Sequence, residues 1–446
     1  MMNKNKDYLI TEKPSRALFA FALPMIIGNL FQQAYTIVDS AIVGHYVGET
    51  ALAAVGASYA LTSIFICVAI GGGIGASVII SQHFGGHDYS RMKTSIRTAM
   101  LSFLLISLLL GGIGLCFSRQ IMEALNTPAD AMDIAVIYLN IYFYGLPFLF
   151  MYNILSSMFN ALGESRIPLY LLIFSSVLNI FLDLYMVATL HLGVAGAAYA
   201  TFIAQGISAV CSFLIFLHTL RRLDGKAETW FSKAEFSSMS RIALPSILQQ
   251  STVSIGMMLV QSVVNGFGTQ ILAGFSAGMR IESLCVVPMA AIGNALSSYT
   301  AQNIGAEKHE RISLGYRTAN IMVAITAVIL CLFLELLHRP LIALFLDGAP
   351  SAQTIATGEG YLRFIGFFFC MIGFKMAVDG ILRGAGAVKV FTIANLVNLG
   401  LRVLIAKLGA PVYGIAMIWY AVPLGWLANF LISYGYYRTG KWKQIK

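Results

Sequence analysis

The stretch SQHFGGHDYSRMKTSIRTAM (81–100) returns as AQNIGAEKHERISLGYRTAN (301–320). At a shift of 220 residues Gln82 meets Gln302, Gly85 meets Gly305, Arg91 meets Arg311, and Arg97-Thr98-Ala99 meets Arg317-Thr318-Ala319. Apolar positions match easily between any two apolar segments. A glutamine, a glycine and arginines kept in one register through a polar loop do not. Working outward, Ser63 meets Ser283 and Gly73 meets Gly293 at the same shift. Ala22-Leu23-Pro24 meets Ala243-Leu244-Pro245 at 221, while Tyr138-Leu139 meets Tyr361-Leu362 and Gly163 meets Gly386 at 223. Small loop insertions produce such drift, so the chain reads as two copies of one unit.

Composition says what the unit is. Of 446 residues, 58% are hydrophobic and 11% charged, and the mean hydropathy is +0.77. Soluble domains carry about 25% charged residues, so lipid is the solvent in which this chain is stable. A helical span needs about 20 mostly apolar residues. Such runs lie near 17–42, 51–80, 93–116, 133–159, 166–189, 193–219, 238–265, 271–302, 314–337, 357–382, 389–408 and 411–437. The expected fold is an all-α membrane protein with twelve transmembrane helices in two pseudo-symmetric six-helix lobes. The lobes are placed at 1–219 and 241–446, joined by a cytoplasmic linker at 220–240. Six spans per copy is an even number, so both copies enter the membrane from the same side, as in parallel-repeat transporters that bind substrate between the copies. Loops are too short for an enzymatic or nucleotide-binding domain, so no enzyme is expected. Ala20-Phe21-Ala22 has the form of a signal-peptidase site, but the apolar run continues past it to about Val43, which reads as a retained first helix.

The net charge of +9 is distributed by side. Alternate loops carry 22 Lys and Arg on one side, including Lys4, Lys6, Lys13, Arg16, Arg91, Arg221, Arg222, Lys308, Arg311 and Lys446. The other side carries 3, namely Arg119, Arg339 and Lys407. This positive-inside bias puts both termini in the cytoplasm and removes nucleic acid as a reading of the charge. The six cysteines are scattered without a C-x-x-C pair and read as small packing residues, with no metal or disulfide framework.

There is no phosphate-binding loop. Gly71-Gly72-Gly73-Ile74-Gly75 lies inside an apolar run with no Lys-Ser/Thr after it, which suits close helix packing. Transport by such a chain draws on an ion gradient, with no cofactor and with H⁺ or Na⁺ as the coupling ion. Ionisable groups at membrane depth cost about 2.5–3.5 kcal/mol each and mark candidate sites. Asp39 lies in YTIVDSAIVG, with Tyr35 one turn before it. Asp183 lies in SSVLNIFLDLYMV with Asn179 one turn before it, and Thr201 lies in AAYATFIAQG. Burial disfavours the charged form of a carboxylate, which can then carry a proton from one side to the other. The same carboxylates with the Asn179 and Thr201 oxygens could instead hold Na⁺, a hard cation. Either Asp could also lie at a helix end wetted by the interface; Asn179 beside Asp183 favours a shared pocket.

The second copy differs. At a shift of 219, Arg402 meets Asp183 and Asn398 meets Asn179, so opposite charges occupy one position and cation coupling belongs to the first lobe. Lys375, Asp379 and Arg383 follow at four-residue spacing as a self-compensating row or a gating element. Arg280 and Glu282, two apart, each need a partner on another helix, and Glu335 reads as interfacial.

These residues together resemble the MATE multidrug and toxin extrusion family, on the pattern from Pro24 through Asp39 to Gly44, the Gln82/Gly85/Arg91 segment with its repeat, and Asn179 followed by Asp183. The resemblance covers nearly the whole chain and is closer to the DinF-like bacterial and archaeal branch. It implies a MATE/MOP-type fold and a first-lobe cation site at Asp39, Asn179, Asp183 and Thr201, with Tyr138 nearby. Pro24 matches a helix-one proline at which some relatives bend. Tyr35, Pro24, Gln33, Arg280, Glu282 and Lys375 are the expected substrate-pathway and gating residues. The seventh span reads ALPSILQQSTVSIGMMLVQ without the carboxylate that another branch carries, so a second cation site there is not expected. The implied function is export of bulky, amphipathic, often cationic compounds by antiport, from a monomer in a bacterial or archaeal cytoplasmic (inner) membrane. Partners are small-molecule drugs and the lipid bilayer. A pool of 19 Met, 29 Phe, 20 Tyr and 4 Trp could supply adaptable pocket walls. The competing reading is a lipid-linked glycan flippase of the same superfamily; a channel or receptor is more remote.

Overall fold

A backbone inside lipid must satisfy every N–H and C=O within itself, and a helix does so within one segment. The computed structural model describes residues 7–47, 49–125, 127–346 and 351–444, and among them no strand occurs. Lys4, Lys6 and Lys446 of the charge reading lie outside the described residues. The helices are α1 (Tyr8–Thr11), α2 (Pro14–Val47), α3 (Glu49–Gly85), α4 (Tyr89–Ala124), α5 (Ala129–Ala161), α6 (Arg166–Asp183), α7 (Gly193–Arg221), α8 (Lys233–Asn265), α9 (Thr269–Gly305), α10 (His309–Leu344), α11 (Ala352–Gly366), α12 (Phe369–Gly384), α13 (Val388–Tyr413) and α14 (Ala416–Arg438).

Among the described residues eleven helices or helix stretches are long and apolar enough to cross a bilayer, and α11 with α12, bent by 52° between them, makes twelve if the pair counts as one span. The apolar run expected at 357–382 is thus divided between two helices. The bend follows Gly366, where Phe368 N–H reaches back three residues to Ile365 O at 2.9 Å and Met371 N–H to Phe368 O at 2.9 Å. Such tightened turns redirect a helix axis. Lipid-facing stripes are visible on single helices. On α10, Ile321, Ile325, Leu332 and Leu336 are 57–78% exposed at spacings of four and seven residues, an apolar face that water would not tolerate.

The chain packs as two units, one of residues up to Ile26 with those from Leu248 on, the other Ile27–Ile247. The cuts fall inside α2 and inside α8, at the positions that the 221-residue shift pairs. Each unit thus contains the body of one copy and the opening turns of the other copy's first helix.

The duplication extends to individual hydrogen bonds. After α3, Gly86, His87 and Asp88 N–H bond to Gln82, Phe84 and His83 O at 3.0, 3.1 and 3.0 Å. After α9, Ala306, Glu307 and Lys308 bond to Gln302, Ile304 and Asn303 O at 3.0, 2.9 and 2.8 Å. His87 and Glu307 both take φ of 57°, a left-handed conformation rare outside glycine. The turns at Gly163 (φ 80°) and Gly386 (φ 75°) pair in the same way at a shift of 223. From those turns α6 and α13 run in step, which places Arg402 at the position of Asn179. This is one helical turn away from the expected Asp183–Arg402 match, though on the same helix face. The register returns to 221 at Gly193 and Gly414, which both have positive φ. The first copy holds two more residues in this interval, which also contains a π-helical turn, Leu184–Thr189.

The repeated arginines anchor the opening segments. In the unit of Ile27–Ile247, Glu235 at the start of α8 is buried and accepts from Ser95 Oγ (2.7 Å), His83 Nε2 (3.0 Å) and Arg91 Nη2 (3.2 Å). Lys93 Nζ donates to Leu223 O (2.6 Å) and Gly225 O (2.8 Å), Ser232 N–H bonds Thr98 Oγ1 (3.0 Å), and Arg97 lies 4.7 Å over the Trp230 ring. Most of residues 221–235 is thus strapped onto α4. In the other unit Arg311 donates to Leu9 O (3.3 Å) and Glu12 O (2.5 Å), and Asn303 Nδ2 to Leu9 O (3.1 Å).

Candidate functional site

Three helices of the Ile27–Ile247 unit bring the predicted polar residues together in layers. α2 carries Tyr35 and Asp39, α6 carries Asn179 and Asp183, and α7 carries Thr201; each helical pair is four apart and shares a face. The Asp39 and Asp183 carboxyl groups lie within hydrogen-bonding reach of each other. Oδ1 of each is closed to solvent and has no other partner. Asp183 is fully buried and is the last α-helical residue before the π turn. Such turns widen the backbone and recur at functional sites.

The Asn179 amide is satisfied when its nitrogen faces the acids. It then donates to Asp183 Oδ2 at 2.8 Å and to Tyr35 Oη at 2.7 Å, while its oxygen accepts from Thr201 N–H at 3.0 Å and Thr201 Oγ1 at 3.3 Å. Tyr138 on α5 stands close enough for its hydroxyl to sense both carboxylates. One helical turn beyond the acids, Val43, Val187 and Ala197 pack together, with Val47 and Val55 against them. The carboxyl pair thus has a polar layer on one side and an apolar layer on the other.

Other predicted residues stand apart. Gln33 makes no hydrogen bond to this group. Pro24 is buried in α2, which continues unbroken through it, and lies 15 residues before Asp39, about 22 Å along the helix. In the other unit Glu282 is buried and takes the Tyr361 hydroxyl, while the exposed Arg280 side chain makes no ion pair among the described residues. Lys375 is buried, pairs with Asp379 at 2.8 Å and donates to Asn395 Oδ1 at 3.1 Å. Arg383 bonds Asn294 Oδ1 (2.6 Å) and Ser297 Oγ (3.3 Å) on α9. Glu335 pairs with Arg363 at 3.1 Å. Among the described residues no cluster of three or more His, Cys, Asp and Glu side chains could hold a metal.

Sequence reasoning missed Glu235. A lone acid in WFSKAEFSSMS has no local signal, because its partners lie some 140 residues away. It also missed the apolar layer over the carboxyl pair, although Val43 and Val187 follow the two acids at helical spacing.

Comparison with known proteins agrees with this architecture. The chain is 31% identical over 434 residues to the "Probable multidrug resistance protein YpnP" of Bacillus subtilis (strain 168), covering 97% of this chain and 96% of that protein. It is 26% identical over 465 residues to the "Probable multidrug resistance protein YoeA" of the same organism, covering 100% and 99%. A solved structure described as the outward-facing conformation of a multidrug resistance MATE family transporter of the MOP superfamily shares the fold, with a TM-score of 0.88 at 23% identity over 100% of both chains. The MatE family profile matches residues 24–185 and 245–408, once in each copy. The chain belongs to the MatE family, the MATE membrane transporters.

Proposed function

We propose that this transporter exports amphipathic, often cationic small molecules from the cytoplasm in exchange for protons that bind at Asp39 and Asp183. The observation that carries the reading is the buried Asp183 carboxyl and the half-buried Asp39 carboxyl within hydrogen-bonding reach of each other, each with an unpartnered oxygen closed to solvent. One proton between those oxygens makes a donor of one and an acceptor of the other, which satisfies both. An organic cation drawn to the same acids displaces the proton, and a proton arriving from outside favours release of the cation. Mutually exclusive occupancy makes the coupling reciprocal. The two copies supply the lobes of an alternating-access carrier, with 220–240 as the cytoplasmic crossing, both termini cytoplasmic, and a monomer in a bacterial cytoplasmic membrane as the working unit.

Na⁺ is the second reading of the same residues. It needs the Asn179 oxygen turned toward the acids, whereas with both acids ionised the amide meets complementary partners on both sides only with its nitrogen there. That orientation supports the proton. The names of the relatives favour drug export over a lipid-linked glycan flippase.

Reconstituted protein tests the reading by dye efflux under an imposed pH gradient and, separately, an imposed Na⁺ gradient. The pH gradient should drive efflux, and Asp39→Asn or Asp183→Asn should abolish it while the protein remains folded. Undiminished efflux from both variants would falsify the assignment of the site, and efflux driven by Na⁺ alone would replace the proton.

A further inference from the structure

In the C-terminal copy the corresponding pocket has the opposite chemistry. The matched turns put Arg402 of α13 where Asn179 stands, Ala406 where Asp183 stands, and Gly256 and Val260 of α8 where Tyr35 and Asp39 stand. Tyr361 keeps the place of Tyr138. Both carboxylates are gone and a guanidinium has been gained, in the middle of the 26-residue α13.

The half-buried Arg402 has an unsatisfied nitrogen there. Its Nε is closed to solvent without a partner, and among the described residues no carboxylate lies within 4.0 Å of its guanidinium. The acid whose charge Arg402 senses, Glu282, is engaged by the Tyr361 hydroxyl. A second donor, Trp419 Nε1, is also buried and unpartnered. The Trp419 ring lies 6.1 Å from Tyr361 and 6.2 Å from Phe364, making an aromatic wall. The Asn398 Oδ1 acceptor, one turn before Arg402, is also unpartnered, so no neighbouring group consumes the free donors. An unpaired cation at membrane depth is costly, and a guanidinium fork matches a carboxylate in shape and charge.

We propose that Arg402, with Trp419, forms an anion subsite in the C-terminal copy for the carboxylate of an aromatic substrate, whose ring lies on the Trp419–Phe364 wall. The inference rests on the export reading and adds a substrate class to it. Aromatic acids and zwitterions are recognised at Arg402, while simple organic cations depend on the acidic pair of the other copy.

A rhodamine dye used as its ester and as its free carboxylic acid isolates the charge. Binding of each dye to purified protein is measured by fluorescence anisotropy, and efflux of each from proteoliposomes under a pH gradient. Arg402→Gln should lower the acid-to-ester affinity ratio by about ten- to a hundred-fold, the range for losing a hydrogen-bonded charge. Arg402→Lys keeps the charge but not the fork and should fall between. Glu282→Gln removes the competing acid and should raise the ratio, which keeps the test open if Arg402→Gln does not fold. An unchanged ratio in Arg402→Gln, or in Glu282→Gln if that is the only variant recovered, overturns the subsite. Failure of the wild type to move either dye overturns the export reading instead, since binding alone decides the subsite.

Discussion

Replacing Glu235 by Ala should release the strap of residues 221–235 from α4 without unfolding the helices beneath. Glu235 is 6% exposed and accepts three hydrogen bonds. Hydrogen bonds to a charged group contribute about 1.5–3 kcal/mol each. The Arg91 end is half exposed and its share falls toward that of a surface pair, about 0–1 kcal/mol. The Ser95 bond is fully buried and that from His83 nearly so, and their loss strands both partners. A local destabilisation of about 3 kcal/mol follows, or roughly a hundred-fold in the population of the opened strap. The assay is trypsin cleavage under native conditions at Arg221, Arg222 and Lys226, whose rate follows local opening when reclosing is fast. Glu228→Ala is the matched control, because Glu228 contributes only its backbone N–H, 3.1 Å from Thr94 Oγ1. Cleavage of Glu235→Ala at the wild-type rate would refute the argument that this buried acid anchors the strap.

Two further perturbations test the packing of the other unit. Lys375→Met breaks a buried ion pair and strands Asp379, which should cost about 3–5 kcal/mol in thermal unfolding; adding Asp379→Leu should recover most of it. No recovery in the double variant would show that the bonds from Lys375 to Asn395 and from Ser433 to Asp379, rather than the ion pair, carry the stability. A Cβ at Gly380 would collide with the Gly293 carbonyl oxygen, a backbone atom that cannot rotate away, so Gly380→Ala should destabilise by at least about 1–3 kcal/mol. Gly112 faces open space, and Gly112→Ala should be neutral or slightly stabilising in the same melt.

Much of the fold was legible because lipid enforces a simple code: apolar runs of spanning length, basic loops on one side, and a polar turn repeated in register. That Asp39, Asn179 and Asp183 come together was legible for the same reason, since the two acids are costly residues and Asn179 marks the face on which Asp183 lies. What the sequence concealed depends on packing across the chain. No proline marks the bend after Gly366, while Pro147, Pro288 and Pro340 sit inside unbroken helices. The segment just before α2 is held by Arg311 and the first turn of α8 by Arg91, each an arginine far away in sequence, and no local pattern records that choice. Taking the turns at Gly163 and Gly386 as the landmark moves the partner of Arg402 by four residues, one helical turn, from Asp183 to Asn179. Short apolar helices offer too few polar landmarks to detect such a slip.

The most direct measurement of the central claim counts protons. An organic cation dye is added to purified protein in weakly buffered detergent solution, and the pH change is recorded against binding. The wild type should release about one proton per bound dye, as expected when two ligands compete for linked sites, and Asp39→Asn and Asp183→Asn should release none. Wild-type release retained in both variants, or dye binding to wild type with no release at all, would contradict a proton held between Asp39 and Asp183.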